Sequence, residues 1–226
     1  MVFLKDIFNR NRHFFLPYIL ILFFSVFPLV FSDKSSVHLC INSANNRFFD
    51  FFFRHTTHLG DGLFAVIVAI LLLFFSYRGS LFILASYLTG GVFVQLLKKF
   101  IFNDVGRPVK FFEGIINLHL AEGVKMRHYM SFPSGHSATA FGLFLCLAIL
   151  TENKGLKALA LVMALIISFS RIYLSQHFLN DVYFGSLIGV VCTIIAYRFV
   201  YLAPGKWADK GLVDTISAKN RRDNEN

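Results

Sequence analysis

Six apolar runs, separated by polar stretches, dominate the sequence. They cover residues 14–31, 63–77, 80–102, 135–150, 155–173 and 178–201. A helix needs about twenty apolar residues to cross the hydrocarbon of a bilayer. The shorter runs reach this length only when polar lead-in segments such as Gly60-Asp61-Gly62 and Pro133-Ser134 count toward the helix. The pattern therefore predicts an all-α fold, a polytopic membrane helical bundle with six transmembrane helices.

The stretches outside these runs predict how the chain is divided. We expect a single domain over residues 1–226 with a core over about 59–201. Residues 1–31 are expected to hold an uncleaved first span, because no small-residue cleavage site follows it. Residues 32–61 form an extracytoplasmic interfacial loop in this prediction. The tail over 203–226 has no apolar period and is predicted to be cytoplasmic and disordered at its end.

A phenylalanine-rich segment, residues 48–53, interrupts the polar loop before the second run. Its five Phe, between Arg47 and Arg54, are typical of a helix lying in the plane of the lipid headgroups. Two interpretations stay open, a passive surface anchor and an element that helps to admit a lipid.

Composition and charge support a membrane location and narrow the range of expected binding partners. The chain is 56% hydrophobic and contains 29 Phe, far more than a soluble domain of 226 residues carries. The net charge of +9 comes from Lys and Arg scattered around the apolar runs. Anionic lipid headgroups are therefore the expected partner, and nucleic acid is not. Cys40, Cys146 and Cys192 lack the close spacing of a metal site or a disulfide framework.

Reactive polar side chains gather at the junction between the last two runs, where Ser170-Arg171 is followed by His177 and Asp181. His177 and Asp181 are four residues apart and share one face of a helix. The carboxylate can therefore fix the tautomer of the imidazole and leave its other nitrogen for attack or proton transfer. Arg171 offers a planar fork suited to phosphate oxygens. A structural ion pair beside a capping histidine is the alternative.

Two further polar clusters border the apolar runs. Pro133-Ser134-Gly135-His136 opens the run at 135–150 like a loop entering a helix, where backbone N–H groups can face an anion. An ordinary serine cap is the alternative. Lys98 and Lys99 precede Arg107-Pro108 at the end of an earlier run, and here the alternative is a pair of lysines that reach toward the headgroups.

Together the three clusters resemble the type 2 phosphatidic acid phosphatase (PAP2) superfamily, in its membrane lipid phosphatase branch, over roughly residues 59–201. The family pattern is a Lys and Arg-Pro block, Pro-Ser-Gly-His, and Ser-Arg-x5-His-x3-Asp. The second and third blocks match in full. In the first, seven residues separate Lys99 from Arg107 and eight separate Lys98 from it, where the family usually has six. Lys99 is the closer in spacing and is the predicted phosphate ligand.

The resemblance implies a role for each matching residue. His177 is the nucleophile that forms a phosphohistidine, Asp181 orients and activates it, and His136 protonates the leaving oxygen and later activates water. The phosphate is bound by side chains and amides from all three blocks: Lys99, Arg107, Ser134, Gly135 and Arg171.

Hydrolysis of a lipid phosphate or pyrophosphate is the activity that the resemblance implies. Because Asp181 is the only acid in the matching motif positions, no Mg²⁺ or Zn²⁺ site and no cofactor are expected. One alternative is a non-catalytic lipid-phosphate binder or transporter, which the complete set of histidines and aspartate opposes. The other is a vanadate-dependent haloperoxidase, whose relatives in the superfamily are soluble. Phosphatidic acid, phosphatidylglycerol phosphate, undecaprenyl pyrophosphate and lipid A phosphates all stay open as substrates.

The predicted topology also places the site on one side of the membrane. Six spans place both termini on one side and the three blocks at the opposite ends. Of the 22 Lys and Arg, twelve lie on the terminal side and ten on the other, where three are held by the expected chemistry. The positive-inside rule then favours cytoplasmic termini. We expect an inner or plasma membrane protein whose active site faces the periplasm or the exterior.

Overall fold

The computed structural model describes residues 2–201 and 210–215, and these residues form helices and turns without strands. In chain order the helices are α1 (Val2–Arg10), α2 (Arg12–Phe31), α3 (Lys34–Ser43), α4 (Arg47–Thr56), α5 (Gly62–Leu73), α6 (Tyr77–Phe100), α7 (Pro108–Phe111), α8 (Gly135–Leu150), α9 (Lys154–Tyr173) and α10 (Leu179–Tyr201). A 3₁₀ turn over Thr57–Gly60 joins α4 to α5. The predicted all-α fold is confirmed.

Four of the described helices, α2, α6, α9 and α10, are long and apolar enough to cross a membrane. A fifth candidate is a bent pair, Arg47–Gly60 and Gly62–Leu73, whose two parts meet at 57°. The apolar helix α8 has only 16 residues. The described residues therefore form a membrane helical bundle with four or five candidate spans, and the count of six stays a prediction.

Helix α8 lies in the middle of the bundle, against α6, α9 and α10. Most of its side chains are buried, among them Phe141 and Leu145. Gly185 of α10 lets the backbones of the two helices meet, because a Cβ at this position would lie 2.5 Å from the carbonyl oxygen of Ser134. This close approach fixes the start of α8 to the start of α10, and it brings two of the three sequence blocks together.

A cap formed by α3, α4, α7 and the long loop before α8 packs on the end of the bundle where the blocks meet. From α3, His38 and Asn42 are buried and contact the hydroxyl oxygen of Ser175 at 3.2 and 3.3 Å. Asn42 also exchanges two hydrogen bonds, of 2.8 and 3.0 Å, with the backbone of His119 in the loop. Ser175 has a φ of 52° in the turn between α9 and α10. The cap therefore supports this turn from outside the bundle.

The phenylalanine-rich segment forms most of α4. Phe53 is buried, with its ring centroid 4.7 Å from that of Tyr173. Phe48 and Phe51 are 70% and 63% exposed. A helix with exposed apolar side chains at the end of a membrane bundle fits the headgroup region. Its role as an anchor or as a guide for lipid stays a prediction.

Part of the predicted tail contacts the opposite end of the bundle. The backbone N–H of Tyr77 donates to the carbonyl of Lys210 at 2.9 Å, and Val213 donates to the carbonyl of Phe74 at 3.3 Å. Residues 210–215 thus pack on the turn between α5 and α6. The rest of the predicted tail, with the end expected to be disordered, lies outside the described residues.

Candidate active site

His177 and Asp181 form a buried pair between α9 and α10. The Nδ1 atom of His177 lies 3.3 Å from Oδ2 of Asp181, and the two residues are 1% and 3% exposed. The same oxygen accepts hydrogen bonds from the hydroxyl of Ser131 at 2.5 Å and the amide of Phe178 at 3.0 Å. With the carboxylate held by these donors, Nδ1 of His177 is engaged and Nε2 is the nitrogen left for chemistry.

The environment of His177 keeps its imidazole neutral. Burial, followed by the positive charges of Arg107 and Lys98, lowers the pKa of His177 well below its ordinary value. Only the neutral ring has a lone pair on Nε2. His177 lines a cavity of about 1060 Å³, so a neutral imidazole borders this space.

Two buried arginines lie beside this pair and are linked through Gln176. Arg107 donates to the backbone oxygens of Tyr129 and Gln176 at 3.0 and 3.1 Å. Arg171 donates to the hydroxyl of Thr57 at 2.7 Å. The side-chain oxygen of Gln176 accepts from both guanidinium groups, at 3.3 and 3.4 Å. Burial lowers the pKa of Arg107 to about 10, which leaves it charged at neutral pH.

The two lysines at the end of α6 have different surroundings. Lys98 is 6% exposed, and its ammonium donates to the carbonyl of Met130 at 2.8 Å. Lys99 is exposed, with its ammonium 5.8 Å from the ring centroid of Phe100. Both border the cavity, but one residue turns a helix by about 100°, and here Lys98 is the lysine turned inward. Lys98 is therefore the more buried of the two, and the role of Lys99 as a phosphate ligand stays a prediction.

Ser134 is the N-cap of α8 rather than a lining residue of the cavity. Its hydroxyl accepts from the amide of Ser137 at 3.3 Å and from the hydroxyl of Ser137 at 2.9 Å. Its own amide donates to the carbonyl of Asp181 at 2.8 Å. The hydroxyl of Ser134 keeps its own proton to donate, and its contact with phosphate stays a prediction. Gly135 and His136 do line the cavity.

His136 has a carboxylate partner that the sequence blocks do not contain. Its Nε2 lies 2.7 Å from Oδ1 of Asp61, in the break between the 3₁₀ turn and α5. The other oxygen of Asp61 lies 2.9 Å from Nδ1 of His58. The sequence analysis treated Gly60-Asp61-Gly62 only as an interruption. An acid between two glycines at the start of an apolar run was the available signal.

The cavity that these residues share is strongly basic at one end. Seven lysines and arginines are among its described lining residues: Arg54, Lys98, Lys99, Arg107, Lys125, Arg127 and Arg171. Asp61 is the one acid in that set. Apolar side chains of α6, such as Leu88, Val92 and Leu96, continue the wall. This combination suits an anion attached to an apolar group.

The described residues contain no group of three or more His, Cys, Asp or Glu side chains that could hold a metal ion. Asp61 and Asp181 each lie within hydrogen-bonding distance of a histidine, at 2.7 and 3.3 Å. The expectation of metal-independent chemistry stays a prediction.

Comparison with known proteins gives consistent matches. The PAP2 superfamily matches residues 79–204, more than half of the chain. A lipid A 4'-phosphatase of Bacteroides thetaiotaomicron is 28% identical over 162 residues, which is 67% of this chain and 69% of that protein. The crystal structure of Aquifex aeolicus LpxE superposes with a TM-score of 0.64 at 31% identity, covering 72% of this chain and 93% of that one. A transmembrane PAP2-type phosphatidylglycerolphosphate phosphatase from Bacillus subtilis gives 0.62 at 23% identity, over 87% and 98%.

Proposed function

Because the chain belongs to the PAP2 superfamily and is a membrane phosphatase of the PAP2 type, we propose that it removes a phosphate from a lipid through a phosphohistidine on His177. The observation that carries this proposal is the buried His177–Asp181 pair beside a cavity with seven basic lining residues. A phosphate monoester is a dianion near neutral pH, so its charge must be neutralised before a nucleophile can attack.

In the first step, the lone pair on Nε2 of His177 attacks phosphorus while the bond from phosphorus to the lipid oxygen breaks. Arg107, Arg171 and Lys98 bind the phosphoryl oxygens as charge develops on them. His136 donates its proton to the departing lipid oxygen, which leaves as an alcohol. The product of this step is a phosphoryl group bonded to His177.

In the second step, His136 accepts a proton from a water molecule, and the resulting hydroxide attacks phosphorus. The bond to Nε2 of His177 breaks, and inorganic phosphate leaves with the water oxygen. His177 returns to its neutral form and His136 to its protonated form. Every group that acts belongs to the chain, so the proposed cycle needs no metal or cofactor.

We assign the substrate to the class of lipid A phosphates. A lipid A 4'-phosphatase is 28% identical to two thirds of the chain, and the apolar wall along α6 suits acyl chains beside the phosphate. Phosphatidic acid, phosphatidylglycerol phosphate and undecaprenyl pyrophosphate are the competing substrates. The relative rates at which these lipids and lipid A are hydrolysed decide the assignment of the substrate.

The proposal is tested by incubating purified protein in mixed micelles with these four lipids and measuring phosphate release. We expect lipid A to react fastest. His177→Ala serves as the inactive control for each lipid. With ³²P-labelled p-nitrophenyl phosphate, whose leaving group needs no proton, His136→Ala should slow hydrolysis of the intermediate more than its formation, so a ³²P label should remain on the protein with the stability of a P–N bond, labile in acid and stable in base. Equal release by wild type and His177→Ala would refute the mechanism.

We also propose six spans with the site facing the periplasm or exterior. A membrane-impermeant thiol reagent tests this on intact cells, with single cysteines at Ser36 or Ser217. The native Cys40 is exposed and must first be changed to Ser, whereas Cys146 and Cys192 are buried. We expect labelling at Ser36→Cys alone. Labelling at Ser217→Cys alone would reverse the orientation.

A further inference from the structure

We propose that Asp61 is a positioning residue for the acid–base step, which it serves by holding the imidazole of His136. The proposal rests on the proposed function of His136. The contact of 2.7 Å between Oδ1 of Asp61 and Nε2 of His136 is shorter than the 3.3 Å contact in the His177–Asp181 pair. Asp61 comes from the break before α5 and His136 from the first turn of α8, so the contact joins two elements that are distant in sequence.

The backbone around Asp61 is pressed against its neighbours on both sides. A Cβ on Gly60 would lie 2.7 Å from Cγ2 of Ile167 and 3.3 Å from the carbonyl oxygen of His136. A Cβ on Gly62 would lie 2.0 Å from the hydroxyl of Tyr87. Real Cβ atoms are not found as close as 2.7 or 2.0 Å, so a side chain at either position would require the side chain of Ile167 or Tyr87 to move. The two glycines thus fit the close packing on either side of Asp61.

The contact decides which nitrogen of His136 can act. With Nε2–H donated to Asp61, Nδ1 is the atom that can give a proton to the leaving oxygen and later take one from water. In the nucleophile His177 the assignment is the opposite, since Nδ1 is engaged by Asp181 and Nε2 acts. Each histidine thus has one nitrogen bound to a carboxylate and one directed to chemistry.

The carboxylate of Asp61 also supplies negative charge in a site that is lined mainly by cations. Arg107 and Arg171 line the same cavity as His136, and positive charges in its surroundings disfavour a protonated imidazole. Asp61 is the one acid among the described lining residues of the cavity. It therefore offsets the cations at the residue that must carry a proton when the lipid oxygen leaves.

His58 completes the arrangement on the outer side. Its Nδ1 lies 2.9 Å from the second oxygen of Asp61, and its side chain is 69% exposed. This contact orients the carboxylate from the solvent side. Because it is exposed, we expect it to matter less than the contact between Asp61 and His136.

The test compares two leaving groups in the Asp61→Asn variant. A lipid alcohol must be protonated as it leaves, whereas p-nitrophenolate is stable without a proton. Loss of positioned acid catalysis costs about 10²-fold or more in rate, so we expect release of the lipid alcohol in the first turnover to slow by at least about 10-fold and release of p-nitrophenolate by less than about twofold. First-turnover rates are compared because the second step, in which His136 takes a proton from water, is the same for both substrates. KM for the lipid should change little.

A double-mutant measurement gives an independent readout on the lipid alone. If Asp61 acts through His136, Asp61→Asn should have no further effect in a His136→Asn background. Asp61→Glu should recover part of the rate, because it keeps the carboxylate. Asp104→Asn changes an exposed aspartate without a hydrogen-bond partner among the described residues, and should match wild type.

Three results would overturn the role of Asp61: equal losses on both substrates, additive effects with His136→Asn, or a faster Asp61→Asn variant. The last would mean that the carboxylate occupies the place of the phosphate. Failure of the proposed function is a separate result, because His177→Ala would then keep its activity whatever Asp61→Asn does.

Discussion

The two histidine–aspartate pairs of the site differ in burial and in separation. The side chains of His177 and Asp181 are 2% and 5% exposed, and their contact is 3.3 Å long. Those of His136 and Asp61 are 30% and 40% exposed, and their contact is 2.7 Å. Both pairs border the same cavity through their histidines. The His177–Asp181 pair, here the inner pair, is therefore closed to solvent. The His136–Asp61 pair, here the outer pair, is open to it.

This difference matches the work proposed for each pair. A nucleophile needs a lone pair and a fixed direction, and burial provides both by excluding water and keeping His177 neutral. A residue that gives a proton to one molecule and takes it from another must meet water in every cycle. In the proposed mechanism, a carboxylate beside a histidine thus serves different steps, according to how much solvent reaches it.

Removal of the inner pair should give the largest effect. We expect His177→Ala to lower kcat on the lipid phosphate by at least about 10³-fold, since no phosphoenzyme can form. Asp181→Asn should leave a small residual rate, because the nucleophile remains but its tautomer is no longer fixed. Phosphate release in detergent measures the activity of both variants.

The two variants also separate chemistry from folding. Asp181 holds Ser131 and Phe178 as well as His177, so its variant is expected to lose thermal stability along with activity. His177→Ala with an unchanged melting temperature and no turnover would assign its loss to chemistry. Near-normal turnover would show that another group is the nucleophile.

The cations around the inner pair should give the next largest effect. Lys98 acts electrostatically on both His177 and Asp181. Removing one preorganised donor to a phosphoryl group costs on the order of 10²-fold, so Lys98→Ala should lower kcat/KM by at least about 10-fold. Lys99→Ala is the matched control on the same helix and should stay within about twofold of wild type. Similar, mild effects of both variants would mean that Arg107 and Arg171 bind the phosphate alone.

His38 extends the comparison, because it is a buried histidine that has no carboxylate partner among the described residues. Burial lowers its pKa to about 4, while an unfolded histidine titrates near about 6.5. Between these values the unfolded chain binds more protons, so the folded state loses stability as pH falls from about 6.5 to about 4. We expect His38→Gln to weaken this pH dependence of the melting temperature.

The resulting shift in melting temperature is expected to be a few degrees at most, which is the smallest of the predicted effects. His55→Gln alters an exposed histidine and is the matched control. An unchanged pH dependence in His38→Gln would contradict the assignment of His38 as a neutral buried group.

Sequence reasoning went furthest where local spacing decides the geometry. The spacing of four residues correctly predicted that His177 meets Asp181, but the two do not share one helix, because α10 begins only at Leu179. Family membership, which the comparisons confirm, identified the blocks. The choice of Lys99 over Lys98 stays a prediction, because both follow an apolar run whose pattern does not reveal which face turns inward. Helix phase there is set by tertiary packing, not by the residues nearby.

Contacts between distant segments were not predictable from local patterns. Asp61 and His136 are 75 residues apart, and the bend of 57° that brings Asp61 inward depends on packing against Ile167 and Tyr87. Ser134 was assigned to phosphate on its motif alone, and only the position of α10 shows that its amide is already bonded to Asp181. Both cases depend on helices meeting in space.

The link from Asn42 to both His119 and Ser175 limits how the outer loop can be exchanged. A chimera that takes this loop from a relative would lose the two hydrogen bonds that Asn42 makes to the backbone of His119. The same side chain reaches Ser175, two residues before His177. The loop is therefore not a module that can be grafted alone. The loop and α3 have to be transplanted as one unit.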